Sequence, residues 1–409
     1  MKCFFRRVVA SIIALLAVPV LSLALTVESK DLSPADGASG QALSTGSGVK
    51  TGHLQNGAVT PEKLSYAGVI FVHKGAGSPT IQGAIGAAAQ AATASGRYLV
   101  KLLPGVYEEA VILSPYVDLE GSGTDTTAVT FSGGLPTLKT ASEGTFNIRN
   151  LTVGNLGNAA NIEVRGSAAA VVTNVKVLML ASDLYAEGIR LFSTSSLKLR
   201  SSEIVAEGGN GAKEGIRGSC SELLVSGSSI RFSAVGAAYA LGIDVTPSRK
   251  AVIRDTQIEM TGEGTQIIDG VFVLGKAEID NSLITVTTAT DSGGVWGVDW
   301  VGDMQISNSR VNVSVATHSE SGRSYGVSPS ATNATGRIAN SSITGSVTGV
   351  AVGGQLDITN STVSGGIKAL ENANGGSYRI GASQIRGPYD IGPSDIRVNC
   401  FDSGFLPVP

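Results

Sequence analysis

Ile279-Asp280-Asn281-Ser282-Leu283-Ile284 returns as Ile306-Ser307-Asn308-Ser309-Arg310-Val311, as Ile338-Ala339-Asn340-Ser341-Ser342-Ile343 and as Ile358-Thr359-Asn360-Ser361-Thr362-Val363. Looser copies start at Ile148, Val172, Leu199, Val225, Ile253 and Ile380, so that consecutive starts lie 20 to 32 residues apart. In a flat strand side chains alternate faces, and residues five apart would point to opposite sides. Both are apolar here, which requires a corner between them. The Asn-Ser pair suits that corner, because Asn tolerates the left-handed region and bonds to nearby backbone. A second landmark falls between the copies: Gly188-Ile189, Gly215-Ile216, Gly242-Ile243, Gly270-Val271, Gly297-Val298, Gly326-Val327, Gly349-Val350 and Gly366-Ile367. Each period therefore holds several short strands joined at bends, with no helix-length stretch between them.

These features describe an all-β chain wound as a right-handed parallel β-helix, with about ten or more coils and three short strands per coil. Backbone hydrogen bonds then run between coils, and columns of Ile and Val fill a narrow core. At 4.7–4.9 Å per coil, ten coils make a rod about 50 Å long. A leucine-rich repeat would need a Leu framework that is absent, and an antiparallel sandwich needs no Gly-Ile landmark tracking every copy.

Working outward, the rod should occupy residues 67–386, with Thr80 to Ala94 as a capping helix. Ile81, Ala84, Ile85 and Ala88 fall at helical spacing there, behind Pro79 and a Ser78 or Thr80 cap. Residues 387–409 lose the repeat and end in Phe401, Phe405, Leu406 and Val408, which suits a cover for the last coil. Residues 1–24 read as an export signal: Lys2, Arg6 and Arg7 precede an apolar run from Val8 to Leu25, and Ser22-Leu23-Ala24 offers small residues two apart. Retention as an anchor is the competing reading. Residues 25–66 are a polar segment followed by a pentad, Val49, Leu54, Val59 and Leu64. That apolar side must lie on the rod or on another chain, so residues 49–64 are a candidate homo-oligomer contact. The segment resembles short repeats of phage tail-fibre and bacterial surface proteins.

Removing the signal takes three positive charges with it, and the formal charge moves from −3 to −6. Such a chain has no general attraction for nucleic acid or anionic lipid, and no second apolar run is long enough to span a membrane. Cys220 and Cys400 would then be the remaining cysteines, compatible with one bridge in an oxidising compartment and nothing more. The expected location is extracellular or at the cell surface.

Thr80-Ile81-Gln82-Gly83-Ala84-Ile85, Leu103-Pro104-Gly105-Val106-Tyr107-Glu108-Glu109 and Tyr116-Val117-Asp118-Leu119-Glu120-Gly121-Ser122-Gly123 resemble the beginning of pectinesterases and other pectin-lyase-like proteins. The resemblance implies an N-terminal helix followed by the first coils. It covers about fifty residues, and its catalytic part does not carry over, because the Gln-Asp-Thr and Leu-Gly-Arg-Pro-Trp stretches of pectinesterases are missing. Asp269, in Ile268-Asp269-Gly270-Val271-Phe272, faintly resembles their second aspartate motif, although its Gly-Val equally fits the structural landmark. The paired aspartates and Gly-His-Gly of polygalacturonases are absent as well, and His53, His73 and His318 are scattered outside the repeat.

In a stacked rod, equivalent positions form columns. The residue after each Gly-Ile/Val landmark should point outward, giving Glu163, Arg190, Arg217, Asp244, Phe272, Asp299, Ser328, Ala351 and Lys368. This is the candidate binding column for a polysaccharide or cell-surface glycan. Its arginines would grip acidic sugars and its acids could hold Ca2+; a self-neutralising ladder is the structural alternative. Two adjacent arginines are unfavourable unless an anion or carboxylate lies between them. Trp296, Trp300 and Tyr239 lie near the same landmark, as stacking surfaces for sugar rings or as buried packing. Asn150, Asn174, Asn281, Asn308, Asn340 and Asn360 form a structural column whose stacked amides bond from coil to coil. With no complete catalytic set legible, the leading expectation is a secreted or surface-displayed, non-catalytic β-helix for adhesion or recognition. The alternatives are a pectinesterase-like hydrolase or calcium-dependent lyase, and a fibre or spike subunit.

Overall fold

The computed structural model describes residues 66–180, 185–207, 211–265, 267–290, 293–317, 323–372, 376–390 and 396–398. The expected signal (1–24), most of the segment 25–66 with its pentad at 49–64, His318, Cys400 and the apolar tail from Phe401 lie outside the described residues. Among the described residues no helix is long and apolar enough to cross a membrane.

From Gly68 onward the chain is a right-handed parallel β-helix of about ten turns with one N-terminal helix. The decisive test is register. Ile148, Val172, Leu199, Val225, Ile253, Ile279, Ile306, Ile338, Ile358 and Ile380 pair successively, coil on coil, in one parallel sheet. Their partners five residues on, Val153, Val177, Ile204, Ile230, Ile258, Ile284, Val311, Ile343, Val363 and Ile385, stack the same way in a second sheet. Both files are buried and belong to one continuous apolar core. The Gly-Ile/Val landmark runs through a third sheet, from Val111–Leu113 to Tyr389–Asp390.

The corner between the first two sheets explains the Asn. Asn150, Asn174, Asn281, Asn308, Asn340 and Asn360 all have φ between 45° and 57°, and Ser201, Gly227, Asp255 and Ala382 hold the same bend on the intervening coils. The amides bond coil to coil in places: Asn174 Nδ2 donates to Asn150 Oδ1 at 2.8 Å, Asn281 Nδ2 to Asp255 Oδ1 at 2.7 Å and Asn308 Nδ2 to Asp280 Oδ1 at 2.8 Å. They sit at the rim, however, and most are exposed. The continuous buried ladder belongs to the hydroxyl residue that follows. Ser282, Ser309, Ser341 and Ser361 each donate a backbone N–H to the hydroxyl one coil on, Ser309, Ser341, Ser361 and Ser383, at 3.1–3.2 Å. Each hydroxyl donates in turn to the carbonyl two residues before it, as Ser309 does to Ser307 O at 2.6 Å. A hydroxyl that both donates and accepts can extend such a chain indefinitely.

The landmark glycines are chosen for space. A Cβ on Gly215 would lie 2.4 Å from Gly242 O and 2.9 Å from the Phe232 ring, and the same crowding recurs at Gly188, Gly242 and Gly270. The last expected landmark, Gly366-Ile367, is not one. Leu370 pairs with Val350, and Ile367 is 55% exposed, so Ala369-Leu370 occupies the position.

The pectinesterase-like start is a docking device. Thr80 caps the helix Ile81–Ala89 through Gly83 N, and the Glu109 carboxylate accepts from Ile81 N and Gln82 N at 3.0 and 2.8 Å. Gln82 Oε1 accepts from Ile112 N at 2.7 Å, and Tyr107 Oη donates to Leu103 O at 2.8 Å. The helix is shorter than the expected 80–94: it ends at Ala89 with Gln90 as its cap, and Thr93 accepts from Gly96 N at 2.9 Å in the turn that follows. At the other end the winding passes residue 386: Tyr389–Asp390 and Ile396–Val398 still pair in register.

Candidate functional site

The third sheet brings the predicted column together. Lys139, Glu163, Arg190, Arg217, Asp244, Phe272, Asp299 and Ser328 are register partners on successive coils. Ala351, in the same file, is buried and is followed by Glu371; Lys368 pairs with Thr348 in the neighbouring file. Burial is uneven. Glu163 and Asp299 are 3% and 6% exposed, while the Arg190 and Arg217 side chains are 34% and 43% exposed.

A second file flanks this one; the sequence singles out Asp269 and Trp296 in it, but not the file as a whole. It comprises the residues immediately before the landmark glycines: Glu187, Glu214, Leu241, Asp269, Trp296 and Tyr325. Gly188 and Ile189 both turn inward, so that Glu187 and Arg190, three residues apart, share the outer face and form an ion pair. Arg217 likewise pairs with Glu214, whose two oxygens accept from Nη1 at 2.8 Å each. The carboxylates demanded by two adjacent arginines are thus supplied by the chain itself. Glu163 is paired with Arg165 and, at 3.8 Å, with Lys139. Phe192 lies beneath the guanidinium groups of Arg165 and Arg190, 5.2 and 5.9 Å from its ring centre.

Tyr185 ties this basic half together. Its hydroxyl contacts the carboxylates of Glu187 and Glu214 and accepts from Arg217 Nη1 at 2.9 Å. Burial raises the Glu214 carboxyl above the ordinary range, against the lowering effects of Tyr185 and Arg217. The arginines of this column are therefore engaged by carboxylates of the chain itself. Its cations are bound within the chain, for the physical reason that buried carboxylates demand paired charges.

The other half of the site is acidic. Asp244, Asp269 and Asp299 come from three successive coils, Asp269 in the file before the glycines (the inner file) and the others flanking it in the predicted column (the outer file). Desolvation raises all three carboxyls. Asp244 is partly held down by Arg217, and Asp269 is raised well above its usual range by burial and by the charges of Asp299 and Asp244. Asp299 is pushed up to about 6, although Ser330 donates to its Oδ2 at 2.5 Å. One oxygen each of Asp269 and Asp299 is buried without a hydrogen-bond partner. Phe272 lies between Asp244 and Asp299 in register, and Leu241 and Trp296 flank Asp269. Apolar neighbours on both sides are what withhold water from the carboxyls.

The aromatic residues divide. Trp300 is fully buried and donates from Nε1 to Thr335 O at 3.2 Å, whereas Trp296 is half-buried on the outer face and stacks on Tyr325, with centroids 6.3 Å apart and planes at 21°. Tyr239 lies on the coil after Arg217, near Glu214 and Arg217. Among the described residues no group of three or more His, Cys, Asp or Glu side chains is arranged to hold a metal ion. Cys220 is a buried free thiol, pushed up to about 11 by burial.

No family model matches the chain, and no curated protein sequence does. Solved structures do resemble it. The A-module of the mannuronan C-5 epimerase AlgE4 from Azotobacter vinelandii is 18% identical, with a TM-score of 0.49 over 80% of this chain and 96% of that one. The AlgE6 A-module of the same organism is 15% identical, with a TM-score of 0.48 over 80% and 95%. A pectin methylesterase from carrot is 16% identical, with a TM-score of 0.33 over 62% and 85%. At these identities nothing about activity transfers. What the chain has in common with pectin-lyase-like proteins is a right-handed parallel β-helix, established here by the register of its own three sheets.

Proposed function

We propose that the protein is an exported carbohydrate-active hydrolase whose working groups are Asp244, Asp269 and Asp299. The observation that carries this reading is the aspartate row itself. Three carboxyls from successive coils, two of them more than nine-tenths buried, are all raised by desolvation, and Asp269 is raised further by the charges of the other two. Such a row destabilises the fold, and perturbed carboxyls of this kind cluster at sites of acid–base chemistry. The apolar run from Val8 to Leu25 supports export.

In this reading the Asp269 carboxyl is neutral at working pH and gives its proton to the glycosidic oxygen as the bond to the anomeric carbon breaks. Asp299, ionised above a pH of about 6, takes a proton from the water whose oxygen bonds to that carbon. Asp269 ends ionised and Asp299 protonated, and exchange with solvent restores both. Asp244 lies beside the developing positive charge, and Arg217 offsets part of the desolvation that raises its carboxyl. Trp296 and Tyr325 provide a ring-stacking surface next to Asp269.

The test is turnover by the purified chain on neutral, amino-sugar and uronic-acid polysaccharides, followed by release of reducing ends. Asp269→Asn should lower turnover by about 10²–10⁴-fold without lowering thermal stability. Full activity in that variant would exclude Asp269 as the acid. Binding with no turnover on any polymer would favour the non-catalytic recognition reading, to which residues 49–64 would add self-association.

A further inference from the structure

We propose that the aspartate row receives a glycan bearing protonated amino groups, a polymer of de-N-acetylated hexosamine, and not a uronic-acid polymer. This rests on the reading of the same row as the working site. The charge distribution carries it. Every cation of the outer file is engaged: Lys139 with Glu163, Arg190 with Glu187 and Arg217 with Glu214. From Asp244 to Ser328 the outer file reads Asp244, Phe272, Asp299 and Ser328, and the inner one Leu241, Asp269, Trp296 and Tyr325. Neither file carries a Lys or Arg over these coils. Among the described residues, the cation that acts on the row is Arg217, at its Asp244 end.

Asp269 and Asp299 are 8% and 6% exposed, and each keeps a buried oxygen with no donor. The row therefore has buried oxygens without a donor and, once Asp299 ionises, negative charge that the described side chains leave uncompensated. A sugar carboxylate brought here would add acceptors and like charge. An ammonium group brings three donors and the opposite charge, and its attraction is strengthened by the same apolar walls that raise the carboxyls. The acids are not gathered as a metal-holding group among the described residues, so a diffuse organic cation suits them better than a bare ion. Trp296 is the register neighbour of Asp269 and stacks on Tyr325. A cationic sugar ring laid on that face is attracted by the aromatic quadrupole as well as by the row.

The experiment is calorimetric binding of the full chain to three oligomers of equal length: glucosamine, N-acetylglucosamine and galacturonate. The glucosamine oligomer should bind at least about tenfold more tightly than the N-acetylated one, with the galacturonate oligomer weakest, and added salt should erode the preference. The double variant Asp244→Asn/Asp299→Asn should lose that preference while its melting temperature holds or rises. Tightest binding of galacturonate, an unchanged preference in the double variant, or binding of none of the three would overturn the assignment. The predicted order of binding without turnover would instead remove the hydrolase reading and leave the ligand class standing.

Discussion

Asp299→Asn should alter the pH dependence of stability in a way that isolates the cost of the aspartate row. In the folded chain the carboxyl titrates at about 6, against an ordinary value of 3.8. Between those two values the folded state holds a proton that the unfolded state has released. Stability of the wild type therefore falls as pH rises through this window, and is flat above it. The difference of about two units corresponds to roughly 3 kcal/mol. The asparagine can still accept from Ser330, which now donates to Oδ2 at 2.5 Å. Its amide nitrogen would take the place of the unpartnered Oδ1, at a cost of about 1–3 kcal/mol. That cost is the same at every pH, so the informative quantity is the change between pH values. Urea unfolding of both proteins across the range should show the variant gaining about 3 kcal/mol relative to wild type between roughly pH 4 and pH 8. A gain below about 1 kcal/mol, or a loss, would mean that Asp299 ionises without penalty, and the argument for a raised row would fail.

Three further substitutions probe the frame that holds the row. Ser309→Ala removes the acceptor for Ser282 N, while Ser307 O keeps the hydrogen bond from Asn281 N, and urea unfolding should show a loss of about 1–3 kcal/mol, the effect of one orphaned group. Asn308→Leu places a branched side chain at a φ of 50° and should cost about 1–2 kcal/mol, whereas Asn308→Gly should cost less; equal losses would mean that the Asp280 contact, and not backbone strain, is what matters. Gly270→Ala puts a Cβ 2.5 Å from Gly297 O and 2.7 Å from Ile284, and a calorimetric scan should show destabilisation of about 1–3 kcal/mol.

Much of this frame is legible in the residue order. Apolar residues five apart with Asn and Ser between them demand a corner, and the corner adopts the left-handed region at every copy from Asn150 to Asn360. The outer column from Glu163 to Ser328 was countable from the landmark, because stacking converts one coil length into one step of register. The count failed at Gly366-Ile367, where a pattern match and the space actually available diverge: Ala369 takes the glycine place and Glu371 the column position. It also missed the serine ladder, since Asn and Ser stand side by side and only the direction of each side chain decides which is inside.

The residue order by itself determined a solenoid, its axis-lining columns and the bend that repeats in each coil, because these follow from local periodicity and steric preference. Tertiary structure decided the chemistry of the open face. Glu187, Glu214 and Asp269 reach that face because the two residues after them, the Gly-Ile/Val landmark, both turn inward, a departure from alternation whose place the landmark marks but whose direction only the stacked coil shows. Which arginine is spent on which glutamate is decided three residues apart on one coil, as in Glu187–Arg190 and Glu214–Arg217, whereas which aspartates are left crowding one another depends on residues some 25–30 positions apart that meet only when coil is laid on coil.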